Sequence, residues 1–213
     1  MNFYNLFIAA GNAVFLLGMT LRSPKMRISR QHGLALALFC LFTALVGARI
    51  TYVLIHKIPW GEAMSPWSAH RGGFSFIGAI LGASGGLIIF ARSLRLPAVF
   101  CAGETVQVWC LSSILWRMRC HFAGCCHGGT SADELIRRFA IMSGSGSPGS
   151  FPLPALEILF LAVLFLWLGP IISFLVARQA GRYEEYWQKV RVLTYIAGYF
   201  IYRAVCSILP HLS

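Results

Sequence analysis

Charge is scarce in this chain, and negative charge is the scarcest. Only 12% of the 213 residues are charged, and seven Asp and Glu residues face 18 Lys and Arg residues. By contrast, 57% of the residues are hydrophobic, and the mean hydropathy is +0.69. A soluble globule of this length needs a larger polar surface. The composition therefore excludes a soluble protein and predicts an all-α, polytopic integral membrane helix bundle.

The chain also shows no cleavable signal peptide. Its first apolar run, residues 2–21, has neither a basic start nor a small-residue cleavage site, so we expect a retained first helix. Six runs are long enough to cross about 30 Å of hydrocarbon: 2–21, 33–56, 73–91, 97–119, 152–176 and 191–209. We expect one transmembrane helical domain over residues 1–213, with an outer-face segment at about 120–151.

The basic residues predict the orientation of these helices. Loops 22–32, 92–96 and 177–190, together with Arg191, hold ten Lys and Arg residues, whereas 57–71 and 118–150 hold five. Because basic loops stay in the cytoplasm, both termini are expected outside. The net charge of +11 then reflects topology and attraction to anionic lipid, and nucleic-acid binding explains such dispersed charge poorly. Residues 184–188, EEYWQ, are predicted to form a solvated inner turn.

Three arginines, Arg49, Arg117 and Arg203, interrupt apolar runs. A charge near the bilayer centre costs about 2.5–3.5 kcal/mol on insertion scales, so the arginines indicate a polar cavity facing an anion. The anion at hand in a membrane is a lipid phosphate, which the planar guanidinium can hold through two oxygens. The alternatives are snorkelling to the interface or pairing with a carboxylate, and only Glu104 and Glu157 lie within predicted spans.

Two further patterns concern packing and thiol chemistry. Gly78, Gly82 and Gly86 share one face of the third helix and predict close approach of a neighbouring helix. Residues 120–127, CHFAGCCH, hold three cysteines and two histidines without paired CxxC spacing. A metal site, a disulfide from the first cysteine to either of the others, a nucleophilic cysteine and packing in a tight turn all remain open. Packing is favoured, and no metal ion or cofactor is assigned.

The residues that follow these arginines resemble the prolipoprotein diacylglyceryl transferase family. Residues 117–128, RMRCHFAGCCHG, are similar to the family signature GRxGNFxNGExxG and to its variant GRxGCFxxGCCxG. Four further segments match family motifs in the same order: 47–53 GARITYV, 72–76 GGFSF, 152–157 PLPALE and 198–203 GYFIYR. The resemblance covers about residues 33–209.

This resemblance implies a multi-pass enzyme of the bacterial cytoplasmic membrane. Family members transfer diacylglyceryl from phosphatidylglycerol to a lipoprotein cysteine and release glycerol phosphate. By resemblance, Arg117 and Arg203 stabilise charge on the leaving phosphate, and Arg49 binds the headgroup. The remaining candidates are assigned to proton transfer or nucleophilic chemistry (His121, Cys125) and to lipid or phosphate binding (Glu104, Gly124, Gly128, Glu157, Tyr199).

The chain departs from the family at several titratable positions. Ile77 replaces the histidine that follows GGxSF, and an isoleucine cannot move a proton. The other departures are Cys120, Cys125, Phe151 and Ser207. Because the chain ends shortly after the sixth predicted helix, we expect either a lipoprotein cysteine or a different acceptor. Glu104, His121, His127 or a thiolate is expected to be the base. The alternative functions are a non-catalytic anionic-lipid-binding or transport protein, or an assembly partner, and a thiol redox protein.

Overall fold

The computed structural model describes residues 3–58, 75–122, 153–174 and 184–208, and these residues form helices and short connections without any strand. The helices are α1 (Phe3–Arg22), α2 (Arg30–His56), α3 (Phe76–Ser93), α4 (Ala98–Phe122), α5 (Leu153–Leu166) and α6 (Glu184–Ile208). A 3-10 turn, Ser23–Met26, follows α1, and a π-helical segment, Trp167–Ile171, continues α5. The predicted all-α class is confirmed.

Five stretches are long and apolar enough to cross a membrane: Asn5–Met26, Arg30–His56, Phe76–Ser93, Ala98–Phe122 and Leu153–Phe174. They coincide with the first five predicted spans. Helix α6 has 25 residues, which extend about 37 Å at 1.5 Å per residue, but it is more polar than the others. A sixth span and outer termini therefore stay predictions.

Two details of the sequence-based prediction are wrong. Residues 184–188, expected as a solvated turn, form the first turns of α6, and the Gln188 side chain is buried. Helix α4 continues through Phe122, so Cys120 and His121 lie in its last turn and do not belong to a tight turn. The other residues of the cysteine cluster lie outside the described residues.

Contacts divide the chain into two compact units, residues 19–102 and residues 1–18 with 103–213. The prediction of a single domain stays a prediction. In the first unit, a serine begins each of the two long helices: the Ser29 hydroxyl accepts the His32 N–H of α2, and the Ser75 hydroxyl accepts the Gly78 N–H of α3. Such N-caps satisfy amide groups that the helix leaves unpaired.

Glycines bring α2 and α3 into backbone contact. A Cβ on Gly47 would collide with the Gly78 carbonyl oxygen, and a Cβ on Gly78 would collide with the Gly47 carbonyl. At Gly82 an added Cβ would meet the Thr43 carbonyl and lie 3.2 Å from the Ala44 Cα. Gly78 contacts residue 47 and Gly82 contacts residue 43, so the contacts run toward the start of α2 as they run toward the end of α3. The two helices are therefore antiparallel. The predicted close approach along the glycine face is confirmed.

In the second unit, α1 packs on α4 through aromatic rings. Phe15 meets Trp109 edge-on at 5.8 Å and Trp116 at 6.4 Å between ring centroids. The Trp116 indole occupies the space that a side chain at position 11 would need, which is why Gly11 fits there. In the most apolar window of α4, 61% of residues are buried, against 22–33% in the other spans. Helix α4 is therefore the core helix of its unit.

Substituting the contact glycine of α3 tests the helix pairing. Gly82→Ala should lower the free energy of unfolding by about 1–3 kcal/mol, because its methyl group is forced against backbone that cannot yield. Gly85→Ala is the matched control: a Cβ there meets no described atom within 4 Å, so it should be neutral or stabilise the helix by up to about 1 kcal/mol. Unfolding in mixed detergent would measure both, and equal effects would contradict backbone contact.

Candidate functional site

The centre of the candidate site is a buried ion pair between α4 and α5. Arg117 Nε lies 2.8 Å from Glu157 Oε1, and the Tyr199 hydroxyl of α6 donates a hydrogen bond to the same oxygen at 3.1 Å. The Glu157 side chain is 4% exposed, whereas that of Arg117 is 19% exposed. The carboxylate is thus enclosed, and the Arg117 side chain keeps part of its surface exposed. We call Arg117, Glu157 and Tyr199 the Arg117 cluster.

The directions of the three helices explain why these distant residues meet. Arg117 near the end of α4 contacts Glu157 near the start of α5, and Gln107 earlier on α4 bonds the Leu168 carbonyl later on α5 at 2.6 Å. Helices α4 and α5 are therefore antiparallel. Residues late on α4 meet residues late on α6, so α6 runs parallel to α4. The C-terminal parts of α4 and α6 and the N-terminal part of α5 therefore meet at the Arg117 cluster.

Arg203 lies beside the Arg117 cluster, one helical turn after Tyr199 on α6. It is exposed, and its charge acts on the Tyr199 hydroxyl. Nearby, the Tyr202 hydroxyl donates to the Leu153 carbonyl at 3.2 Å, and the Tyr202 ring stacks on Phe160 at 4.7 Å. These contacts hold the end of α6 against the start of α5. The structure therefore brings together Arg117, Glu157, Tyr199 and Arg203, all of them sequence-predicted site residues.

Glu104 belongs to a different group of buried side chains. Its Oε1 lies 2.6 Å from an Arg191 terminal nitrogen and accepts the Gln188 side-chain amide at 2.9 Å. Arg191 also donates to the Gln188 side-chain oxygen at 3.2 Å and to the Ser173 hydroxyl at 2.9 Å. We call Glu104, Ser173, Gln188 and Arg191 the Arg191 network. Glu104 is 13 residues before Arg117 on α4, about 20 Å along the axis.

Sequence reasoning missed Arg191 and Gln188. Gln188 was assigned to the loop 177–190, and Arg191, the first residue of the sixth predicted span, was counted only among the basic residues that predict orientation. The two residues are three positions apart, which is the spacing of one helical face. The signal that could have found them is the short apolar run of α6, which begins at residue 191, seven residues after the helix itself begins. Each residue is only 4% exposed, and this burial would have been recognised only if the helix had been extended toward residue 184.

The remaining predicted site residues lie elsewhere. Arg49 on α2 is half-buried, with its guanidinium 6.0 Å from the centre of the Tyr52 ring, and Tyr52 lies 4.3 Å from His56 between ring centroids. His121 is half-buried at the end of α4, and Ile77 is 64% exposed in the first turn of α3. Gly124, Cys125 and Gly128 lie outside the described residues, so their roles stay predictions.

The helices and their buried charges define the class first: an apolar, multi-helix membrane protein whose interior holds paired arginines. A family model then matches residues 1–210, and its description is prolipoprotein diacylglyceryl transferase. The chain belongs to this family, as the sequence motifs predicted. The family consists of transferases with several membrane-spanning helices in the bacterial inner membrane. No curated protein sequence matches the chain.

Removing the Glu157 charge tests the buried pair. Glu157→Gln should lower the free energy of unfolding by about 3–5 kcal/mol, because it leaves the Arg117 charge without its carboxylate in a low-dielectric interior. Glu185→Gln is the matched control, since Glu185 is 70% exposed and pairs with Lys189 on the surface of α6. That control should cost less than about 1 kcal/mol. Similar losses in a detergent unfolding titration would show that the cluster is hydrated and weakly coupled.

The Tyr199 hydroxyl can be tested separately. Tyr199→Phe should cost about 1.5–3 kcal/mol, the range for a hydrogen bond to a charged group. Tyr195→Phe removes a buried hydroxyl that has no hydrogen-bond partner in the described part of the chain, so it should leave stability nearly unchanged or raise it. The same unfolding titration compares the two, and a Tyr195→Phe loss as large as that of Tyr199→Phe would refute the assigned bond.

Proposed function

We propose that the protein transfers a diacylglyceryl group from phosphatidylglycerol to a thiol acceptor, with Arg117 and Arg203 holding the donor phosphate. The observation that carries the proposal is the Arg117 cluster beside exposed Arg203 in a member of this transferase family. Two guanidinium groups near one site suit a phosphate monoester, the group that leaves in the reaction. The acceptor is a lipoprotein cysteine or another thiol.

The Arg117 cluster explains how an arginine inside a membrane protein can be held in place to bind the phosphate of the leaving group. Glu157 fixes the guanidinium through Nε, and Tyr199 fixes Glu157 in turn. A guanidinium that is already oriented need not reorganise when negative charge develops on the phosphate in the transition state. Such preorganisation is the main source of electrostatic catalysis. Arg203 lies on α6 and is exposed, so a lipid headgroup can reach it from the bilayer.

The reaction balances as a displacement at carbon. The acceptor sulphur forms a bond to the glyceryl carbon as that carbon's bond to the phosphate oxygen breaks, and glycerol phosphate leaves with the bonding electrons. The thiol proton goes to a base. We assign this role to His121, which lies one helical turn beyond Arg117 on the same face of α4, with Cys125 as a second candidate. Arg49, Gly124 and Gly128 are proposed to contact the donor headgroup.

Ile77 favours a second candidate function. It replaces the family histidine and is 64% exposed at the start of α3, so it supplies neither a proton acceptor nor a buried polar contact. A protein that keeps the phosphate-binding arginines without an efficient base would bind or move an anionic phospholipid without chemistry. Lipid binding without glycerol phosphate release would support this function over the transferase.

Release of glycerol phosphate from labelled phosphatidylglycerol tests the transferase. The purified protein, supplied with membrane extract of its own host as a source of acceptor, should release it. Arg117→Lys and Arg203→Lys should each reduce the rate by about 100- to 1000-fold, since lysine keeps the charge but loses the fork of donors. His121→Gln should also slow release.

Arg92→Lys is the matched control, because Arg92 is an exposed arginine in the last turn of α3 and should keep the full rate. Full activity of both Arg117→Lys and Arg203→Lys would contradict phosphate binding by these side chains. Loss of activity on alkylation of the cysteines, together with unchanged activity of the arginine variants, would instead support the thiol redox function.

A further inference from the structure

The Arg191 network joins three helices through one side chain. One terminal nitrogen of Arg191 lies 2.6 Å from Glu104 on α4 and 3.2 Å from the Gln188 oxygen on α6, and the other donates to Ser173 beyond the π-helical segment at 2.9 Å. The Arg191 and Glu104 side chains are 5% and 4% exposed. A planar guanidinium with fixed donors can satisfy these partners only over a narrow range of helix rotations.

Neighbouring groups further restrict how α6 can rotate or slide against α4. The Gln188 amide donates to Glu104 at 2.9 Å, so the carboxylate is bound from two residues of α6. A side chain at Gly103 would collide with Gln188, which means that α4 and α6 approach closely at this level. The first turns of α6 are thereby fixed in both rotation and axial position against α4.

The same helix carries two residues of the candidate site. Tyr199 is eight residues after Arg191, about 12 Å farther along α6, and Arg203 follows one turn later. A helix transmits a rotation or a shift along its length, because its backbone hydrogen bonds make it stiff. The Tyr199 bond to Glu157, at 3.1 Å, has little room for such a shift.

Stability alone does not account for a pair of this kind. Replacing a buried ion pair with well-packed apolar residues is often neutral or stabilising, because desolvating the charges offsets their attraction. What the pair supplies is geometric specificity: apolar contacts tolerate sliding of one helix on another, and a guanidinium held by a carboxylate, an amide and a hydroxyl does not.

We propose that Arg191 is a positioning residue. By fixing α6 against α4 and α5, it sets the place of the Tyr199 hydroxyl on Glu157 and of Arg203 at the donor phosphate. The part of this inference that concerns catalysis rests on the proposed function. The part that concerns the placement of Tyr199 does not, and it can be measured without any substrate.

The placement is measured with 3-fluorotyrosine at position 199, whose fluorine resonance reports the surroundings of its hydroxyl. Arg191→Gln should move or split this resonance. Lys189→Gln is the control, since Lys189 lies on α6 two residues away, is 54% exposed and forms an ion pair with exposed Glu185. An unmoved resonance in Arg191→Gln would overturn the proposal.

Two milder variants cover the case in which Arg191→Gln does not fold. Ser173→Ala removes only the bond to α5, and Arg191→Lys keeps the charge beside Glu104 but loses the fork. Each should shift the Tyr199 fluorine resonance in the same direction as Arg191→Gln does, but by less. If both leave it where Lys189→Gln does, Arg191 does not position Tyr199.

Kinetics test the catalytic part in protein that releases glycerol phosphate. Arg191→Gln should raise the KM for phosphatidylglycerol roughly tenfold and lower kcat up to about 100-fold, with partial recovery in Arg191→Lys, because misplacing Arg203 weakens donor binding. A merely structural role would reduce the active fraction and leave KM unchanged, and that result would overturn positioning. If the unaltered protein releases nothing, the proposed function fails, while the fluorine resonance still decides the placement.

Discussion

A charged side chain in hydrocarbon is stabilised by pairing with an opposite charge, and this chain has few acidic residues. Among the described residues, Glu104 and Glu157 are the only carboxylates in the five stretches long and apolar enough to cross a membrane, and each pairs with an arginine. The two pairs lie about 20 Å apart along α4. Because each pair draws in groups from α5 and α6, the arrangement of these three helices follows from where two acids stand in the sequence.

The composition of the helices reflects this arrangement. Helix α6 presents Gln188, Arg191, Tyr195 and Tyr199 to the interior of its unit, so it is less apolar than the other helices although it is long enough to cross a membrane. Helix α5 contributes mainly apolar surface, and the Gln107 side-chain amide donates to the Leu168 carbonyl in the π-helical segment that continues it. On α6, the exposed large side chains are mostly apolar and the buried ones carry polar groups, the reverse of a soluble helix. The Arg117 cluster is therefore part of the core and the site at once.

Much of this was predictable from the sequence, for identifiable reasons. The spans follow from apolar length, the α2–α3 contact follows from glycine spacing, and the family follows from motifs around arginines. A carboxylate partner for Arg117 was one of two alternatives, but choosing Glu157 requires knowing that α4 and α5 are antiparallel with these ends together. Arg191 was missed because a basic residue at the start of a predicted span is typical of the membrane interface, and its burial against Glu104 depends on the packing of α6 on α4. Roles for Gly124, Cys125 and Gly128 remain predictions.

An experimental structure of the protein with bound phosphatidylglycerol tests the central claim most directly. The account predicts the lipid phosphate within about 3 Å of guanidinium nitrogens of both Arg117 and Arg203, with Glu157 still paired to Arg117 Nε. A phosphate bound away from these arginines, or a lipid held by its acyl chains alone, would contradict it and leave the Arg117–Glu157 pair as a structural element of the core.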